Sequence, residues 1–524
     1  MRAQHRALID GDDEWRCRGR CSRSLVLLAG SLTLTTQLLL ACFVLDRESA
    51  SSTAWLQIDV AKLTAMINGT AALTTNAPHG RDELLGGLLP AGMDRRSCRS
   101  RYESWRYYKH FPYVASPHLQ RKLRAYEARH RQCAPGTPLY VKSVEQLRSG
   151  RSAEGMECNY VVWIPFDGLG NRILSMDIEE YMRLPVTNLL GVGQDIEKSY
   201  TRLLDAKVIG PAANATAGVP PYVYLSLGWQ LKDLLFFCGE HQLVLAKVNW
   251  LLLYSDLYFA PSLYTVAEFQ DELRRLFPAK ESVHHILSRY LLHPTNPVWS
   301  MVTRYYRLYL ASASWRIGVQ IRMFSFTSIS ADDMYNQILA CSRQEHILPE
   351  TDADNDEAVA TGGHGYGSGS NNSTAIFIAS LYGDYYKRLR SRYSDQHAAK
   401  GTGARVGVFQ RTHEERQATQ NLAHNQRALA EIYLLSFSEA LLTSGLSTFG
   451  YVSSSLAGVR PVILLTAFDH KVPEIPCRRA VSMEPCNLKP PQGMECRGKP
   501  MDIEGLARHI GVCEDFKDGV KFFY

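Results

Sequence analysis

Between residues 316 and 466, short apolar runs alternate with amphipathic helical patterns, and this alternation constrains the fold more than any other feature of the chain. The strand-like runs are residues 317–321, 375–379, 405–409, 440–443 and 461–465. Helical patterns lie between them at 331–343, 384–393, 425–437 and 449–456. Strands that take turns with helices are joined by crossovers, so the expected class is α/β with a doubly wound parallel sheet. Ligands of such sheets sit beyond the carboxyl ends of the strands, and that is where chemistry is sought.

Two strand ends carry suitable residues. Ile317-Gly318-Val319-Gln320-Ile321 ends in Arg322, the side chain best suited to a fixed, charge-assisted grip on phosphate. The run ending at Gly445 leads into Ser447-Thr448-Phe449-Gly450-Tyr451, where a helix start is expected. Far upstream, Tyr160-Val161-Val162-Trp163-Ile164 runs into Phe166-Asp167-Gly168-Leu169-Gly170-Asn171-Arg172, again strand, small-residue turn and helix. Glycines let backbone approach a ligand, and helix N-termini offer N–H groups and partial positive charge to an anion. Singly these are weak signals: such a turn is usually only a turn, and Ser447 and Thr448 also fit ordinary N-caps. Together they read as a holder for a sugar diphosphate.

Transfer from a nucleotide diphosphate needs the leaving group stabilised, the acceptor hydroxyl aligned and water excluded. Arg322, the helix start at Ser447 and Arg172 opposite supply fixed donors for the first task without a metal. Asp167 is the carboxylate in the right turn to act as general base, although a diphosphate leaving group lessens the need for one.

Residues 24–45 carry no charged side chain and are long enough to span a bilayer as a helix. Arg2, Arg6, Arg16, Arg18, Arg20 and Arg23 precede them, which keeps the N-terminal side cytoplasmic. The apolar stretch and its basic tail are long for a cleaved signal peptide, so a type II anchor is expected, with the rest of the chain luminal. The net charge of +6 comes with no dense basic patch among aromatics, so no nucleic-acid partner is expected.

Of 12 cysteines, Cys17, Cys21 and Cys42 fall before or within the anchor, leaving nine luminal ones, an odd number. Cys477, Cys486, Cys496 and Cys513 crowd the C-terminus without the tight pairs of a zinc site. Two disulfides are expected there, with connectivity open. Asn68, Asn214, Asn371 and Asn372 head glycosylation sequons.

The organisation expected is a cytoplasmic tail (1–23), an anchor (24–45), a stem (46–95), an N-terminal acceptor-side domain (96–310), a nucleotide-sugar-binding domain (311–470) and a Cys-rich C-terminal segment (471–524). A short helix is expected over 82–89, and an amphipathic one over 119–130 with Leu119, Leu123 and Tyr126 on one face. The aromatics Tyr102, Trp105, Tyr107, Tyr108, Phe111 and Tyr113 fit packing beneath a domain better than sugar stacking. Asp352, Asp354 and Asp356 lie in a polar loop and fail the EF-hand spacing, and His284-His285 are adjacent rather than four apart, so neither group is read as a metal site.

Longer wording adds a resemblance. Cys98-Arg99-Ser100-Arg101-Tyr102-Glu103-Ser104, residues 119–127 and 160–176, Tyr290-Leu291-Leu292-His293-Pro294-Thr295-Asn296, Met301-Val302-Thr303-Arg304, residues 428–435 and Met483-Glu484-Pro485-Cys486 resemble the plant xyloglucan α-1,2-fucosyltransferase family, in the same order from about Cys98 to the C-terminus. The resemblance implies a GT-B-like fold, two Rossmann-like domains facing a cleft. It implies a Golgi enzyme that moves fucose from GDP-fucose to a galactosyl residue of a cell-wall polysaccharide, with inversion, no metal and no cofactor. By the same resemblance Arg322 holds the β-phosphate, Ser447, Thr448, Phe449 and Gly450 (with Tyr451 following) wrap phosphate and nucleoside, and Gly168, Gly170, Asn171 and Arg172 close the cleft from the acceptor side. The partners implied are GDP-fucose, the galactosylated polysaccharide and the Golgi membrane; a homodimer is left open.

The chain departs from the family after Met176, passing straight to Asp177 and Leu184-Pro185. A segment on the order of forty residues, the size of a strand with its crossover helix, is missing relative to the family pattern. That shortens the N-terminal domain and keeps two alternatives open: a GDP-fucose- or glycan-binding protein without turnover, and a fucosyltransferase acting on arabinogalactan-protein.

Overall fold

Strand β4 (Trp315–Ile321) is buried along nearly its whole length, as a central strand covered on both faces must be. In the computed structural model it pairs in parallel with β5 (Ser373–Ser380) on one side and β7 (Ala440–Ser444) on the other. The sheet continues to β6 (Arg405–Gln410) beyond β5, and to β8 (Val462–Leu464) and β9 (Cys477–Arg479) beyond β7, giving the order β6-β5-β4-β7-β8-β9. The five strands expected from the sequence are all present and parallel, while β9 adds an antiparallel edge. Strand order reverses between β4 and β7, which makes their carboxyl ends the topological switch point.

The structure describes residues 83–165, 168–175, 198–213, 218–228, 230–326, 329–351, 373–397, 405–468, 471–496, 498–501 and 509–523. The anchor at 24–45, most of the stem, Asp167 and the sequons at Asn68, Asn214, Asn371 and Asn372 lie outside them.

A second parallel sheet, β1 (Tyr160–Pro165), β3 (Trp250–Ser255) and β2 (Tyr222–Ser226), carries the glycine turn at the end of β1. Tyr160 stacks on Trp250 with ring centroids 4.2 Å apart. Helix α1 (Pro117–Gln132) starts where Ser116 accepts a hydrogen bond from the Leu119 N–H and Pro117 takes the first turn. It buries Leu119 and Leu123 as its apolar spacing requires. Residues 83–89 form a turn rather than the expected short helix, because Leu85, Gly86 and Gly87 all take positive φ.

Helix α2 (Leu169–Ser175) follows β1, and helix α3 (Val283–Leu291) is buried on every side. His285 Nδ1 lies 2.6 Å from the Ser455 carbonyl oxygen, so this ring is a packed core group, and burial holds its pKa well below the ordinary imidazole value. Arg289 donates to the carbonyls of Leu456 (3.0 Å) and Ala457 (3.1 Å), the last carbonyls of helix α8 (Thr448–Ala457). A cation at a helix C-terminus complements the helix dipole. The same guanidinium lies 4.0 Å from the Tyr108 ring centre and 5.0 Å from that of Phe111. Tyr107 stacks on Phe437 at 5.1 Å. These aromatics are packing groups between the two halves. Helix α4 (Asn296–Tyr305) runs on as a π-helical turn, Tyr306–Leu310, and packs on helix α7 (Leu422–Ser436) of the larger sheet. Helices α5 (Ala331–Glu345) and α6 (Asp384–His397) complete its crossovers.

Among the described residues eight of nine cysteines pair: Cys133–Cys158, Cys238–Cys496, Cys341–Cys477 and Cys486–Cys513, with Cys98 free and buried. The expected self-contained pair of C-terminal disulfides is corrected here. Only Cys486–Cys513 is internal to the segment; Cys477 and Cys496 reach back 136 and 258 residues. The chain returns across both halves after β8, so its cysteines meet partners from helix α5 and from the half that carries the smaller sheet. Glu484 joins this return, accepting from the Tyr258 hydroxyl and the His284 N–H.

Candidate active site

The cleft opens at the switch point and holds about 360 Å³. The three segments singled out in the sequence meet in it: Gly168 to Asn171 on one wall, Arg322 beyond β4, and Ser447 to Phe449 at the start of α8. These come from both sheets, and helix α8 packs directly on α2.

Between β7 and α8 the chain makes a tight corner. Leu446 takes φ of +58°, a left-handed conformation that costs a leucine about 1–2 kcal/mol. Its N–H donates to Asp515 Oδ2 at 2.8 Å, and the Tyr451 hydroxyl donates to the same oxygen at 2.6 Å. Asp515 therefore holds the corner that sets the direction of α8. Ser447 makes no side-chain cap, and the Thr448 hydroxyl donates instead to Asn171 Oδ1 at 2.8 Å. Ser447, Thr448 and Phe449 thus line the cleft at a helix start that the Ser447 side chain does not cap, the arrangement that suits a phosphate.

Gly170 permits this approach of the two halves. A Cβ there would lie 2.4 Å from Thr448 Oγ1 and 3.0 Å from the Phe449 nitrogen. Only glycine fits.

Arg322 is held by its own backbone and by its head group. Its N–H donates to Ser444 Oγ at 2.9 Å, and its Nη2 donates to Gln417 Oε1 at 2.8 Å. Gln320 ties β4 to β7 beneath it, accepting from the Ser444 N–H at 3.2 Å.

Three residues read as part of the site are set back from it. Arg172 is buried on α2, and Gly450 and Tyr451 do not line the cleft. The helix turns about 100° per residue, so Ser447, Thr448 and Phe449 present the first turn while the next two positions rotate inward. Gly450 faces Thr443 and Gln320, and Tyr451 faces Asp515.

The sequence reading missed the wall beyond β6. Thr412, Glu414, Gln417, His424, Arg427 and Glu431 all line the cleft. Glu414 accepts from Arg427 Nε and is paired with His424 Nδ1; the Arg427 hydrogen bond keeps its pKa below the ordinary carboxylate value. Glu431, on α7, accepts from the Thr412 hydroxyl, and burial pushes its pKa up to about 7. The rule that identified Arg322 and Ser447, residues at carboxyl ends of strands, applies equally to Thr412, two residues past β6.

Among the described residues, the two groups spaced like metal ligands are Cys238 with Glu240 and His241, and Cys486 with Cys513 and Asp515. Their cysteines are bound in disulfides, and none of these residues lines the cleft.

A cleft between two parallel sheets, with an arginine and a helix start at a switch point, is a setting for a nucleotide diphosphate. Comparison with known proteins gives it a family. The family model described as xyloglucan fucosyltransferase matches residues 58–183 and 178–497. The chain belongs to the xyloglucan fucosyltransferase family. A Pisum sativum galactoside 2-alpha-L-fucosyltransferase is 40% identical over 477 residues, 84% of this chain and 82% of that one. The Arabidopsis thaliana protein of the same name is 38% identical over 479 residues, covering 84% and 83%. A solved structure, a mutant of Arabidopsis thaliana FUT1 in complex with GDP, superposes with a TM-score of 0.74 at 37% identity, over 84% of this chain and all of that one. The protein is accordingly a fucosyltransferase. The family match falls in two pieces that meet at residues 178–183, where the sequence departs from the family pattern.

Proposed function

We propose that this fucosyltransferase moves L-fucose from GDP-fucose to O-2 of a galactosyl residue on a xyloglucan-like cell-wall polysaccharide, with inversion and without a metal, as a type II protein of the Golgi membrane. The observation that carries the reading is that Arg322 and the α8 start line the same cleft at the switch point. The β-phosphate fits there, between a guanidinium and free helix N–H groups. Strand spacing supports the direction of the nucleoside. From the end of β4 to the end of β6 is two strand intervals, about 10 Å, comparable with the span from a β-phosphate to its base. At that end Glu431 offers a carboxyl group, whose two oxygens suit the adjacent N1–H and amino N–H donors of guanine better than the single N–H of uracil, which is flanked by carbonyls.

In the transfer, the acceptor oxygen forms a bond to the anomeric carbon on the face opposite the departing oxygen. The bond to the β-phosphate breaks, and GDP leaves with the electron pair. Arg322 and the α8 N–H groups stabilise the charge that grows on the diphosphate, a role that fixed donors fill without metal. Asp167, beside Gly168, is the residue proposed to take the acceptor proton.

A second reading, GDP-fucose binding without turnover, draws on the interrupted family match at 178–183. One experiment separates them. Full-length protein in detergent is incubated with GDP-fucose, galactosylated xyloglucan and EDTA, and GDP release and polymer-bound fucose are both quantified. Acceptor-dependent release that survives EDTA and is lost in Arg322→Ala supports transfer. GDP binding with no release supports the second reading. Near-normal turnover of Asp167→Asn would remove that residue from the proton step; arabinogalactan-protein in the acceptor panel tests the polymer.

A further inference from the structure

From the phosphate position outward, one edge of the cleft is a stack of three side chains. The Arg322 guanidinium lies 5.5 Å from the centre of the Phe324 ring. The Phe324 and Phe326 rings lie 5.1 Å apart with planes inclined by 22°. Phe324 lines the cleft, whereas Phe326 is 55% exposed. Alternate residues of the segment leaving β4 thus form a ladder that begins on the group assigned to the phosphate and ends in solvent.

The inner rungs have an evident purpose. A guanidinium resting on an aromatic face keeps a fixed orientation, so Phe324 helps aim Arg322. The outer rung does not. A phenylalanine ring left largely in water forgoes the free energy of burial, and this one stacks directly on the ring that lines the cleft.

We infer that the Phe326 ring is a platform for the acceptor sugar, a galactopyranose that lays its apolar C–H face on the aromatic plane. This rests on reading the cleft as the GDP-fucose site. The anomeric carbon is one bond beyond the β-phosphate oxygen, so the acceptor hydroxyl must arrive next to the position held by Arg322. A polymer arrives from solvent and meets the outermost rung first; the donor, seated inside, meets Phe324. Carbon 3, carbon 4 and carbon 5 of β-galactose turn their hydrogens to one face, which makes that face apolar and suited to an aromatic ring. The stack places such a ring beside the reacting centre and leaves the hydroxyl groups free for polar partners.

The test compares full-length wild-type protein, Phe326→Ala and Phe326→Trp, with a galactosylated xyloglucan oligosaccharide as the probe. The acceptor KM of Phe326→Ala should rise about threefold to tenfold, the range expected of one aromatic stacking contact, while the GDP-fucose KM holds and Phe326→Trp restores the acceptor KM. An unchanged acceptor KM overturns the inference. So does a rise confined to the GDP-fucose KM, which would assign the ring to the donor sugar. If the protein binds without turnover, saturation-transfer NMR of the same oligosaccharide on GDP-loaded protein replaces KM. A transfer signal that disappears in Phe326→Ala and returns in Phe326→Trp supports the platform, and no signal with the wild type overturns it. A GDP-induced rise in melting temperature, measured on all three proteins, keeps the two readings apart. Its absence from the wild type removes the cleft assignment itself, whereas its presence with an unaltered acceptor signal removes only the platform.

Discussion

Thr448 Oγ1 donates to Asn171 Oδ1 at 2.8 Å, joining residues 277 apart in sequence across the mouth of the cleft. Thr448 opens helix α8 on one wall, and Asn171 stands in the first turn of helix α2 on the other. This hydrogen bond is where the two halves of the site are registered against each other.

Removing either partner should loosen that registration without unfolding the protein. Thr448→Val and Asn171→Ala are each expected to lower kcat/KM about threefold to tenfold, the worth of one hydrogen bond. The double variant should lose little more than either single one, returning a coupling of about 1 kcal/mol in a double-mutant cycle. Additive losses would mean that the bond does not link the two walls.

Gly170 sets a steric limit on the same contact. In Gly170→Ala the new methyl group would meet Thr448 Oγ1 at 2.4 Å and the Phe449 nitrogen at 3.0 Å, so the walls must separate. Overpacking of this kind costs about 1–3 kcal/mol. The expected result is GDP affinity lowered about tenfold or more, read by titration calorimetry, with the circular dichroism spectrum unchanged.

Glu431 gives a pH signature with a definite sign. Burial raises its pKa from 4.5 to about 7, so the folded protein holds this proton more tightly than the unfolded chain does. Its contribution to stability is complete below the lower value, falls as pH rises through the interval, and levels off above the upper one. Glu431→Gln should flatten that part of a stability profile measured by denaturant titration. If the ionised carboxylate reads the base, GDP affinity of the wild type should strengthen as pH rises through about 7 and stay level in the variant.

The Cys238–Cys496 bond ties the C-terminal return to the half that carries the smaller sheet across 258 residues. Cys496→Ser should lower stability by about 2–5 kcal/mol, measured by denaturant unfolding without reductant. Alkylation followed by mass spectrometry should modify buried Cys98 only after denaturation.

The strand positions of the larger sheet were legible because each run is short, apolar and bounded by a helix with its own period. The residues expected at 317–321, 375–379, 405–409 and 440–443 fall within β4, β5, β6 and β7. Arg322 and Ser447 to Phe449 were legible for the same reason, since their place follows from where a strand ends. Gln417 and Glu431 were not. Gln417 sits in the loop before α7 and Glu431 looks like one polar residue on an apolar helix, and neither position is marked by a local pattern. Tyr451 read as a site residue because it continues the Ser447-Thr448-Phe449-Gly450 segment, yet helical rotation turns its hydroxyl to Asp515.

Sequence by itself determined which segments become strands and helices, that they form parallel α/β sheets, and which family the wording resembles, because these depend on local periodicity and on residues in order. Tertiary structure alone decided which distant groups meet: Thr448 with Asn171, Arg322 with Gln417, Cys477 with Cys341 and Cys496 with Cys238. Such contacts are fixed by how the sheets and helices pack on one another, and packing depends on the shape of the whole chain rather than on any stretch of it.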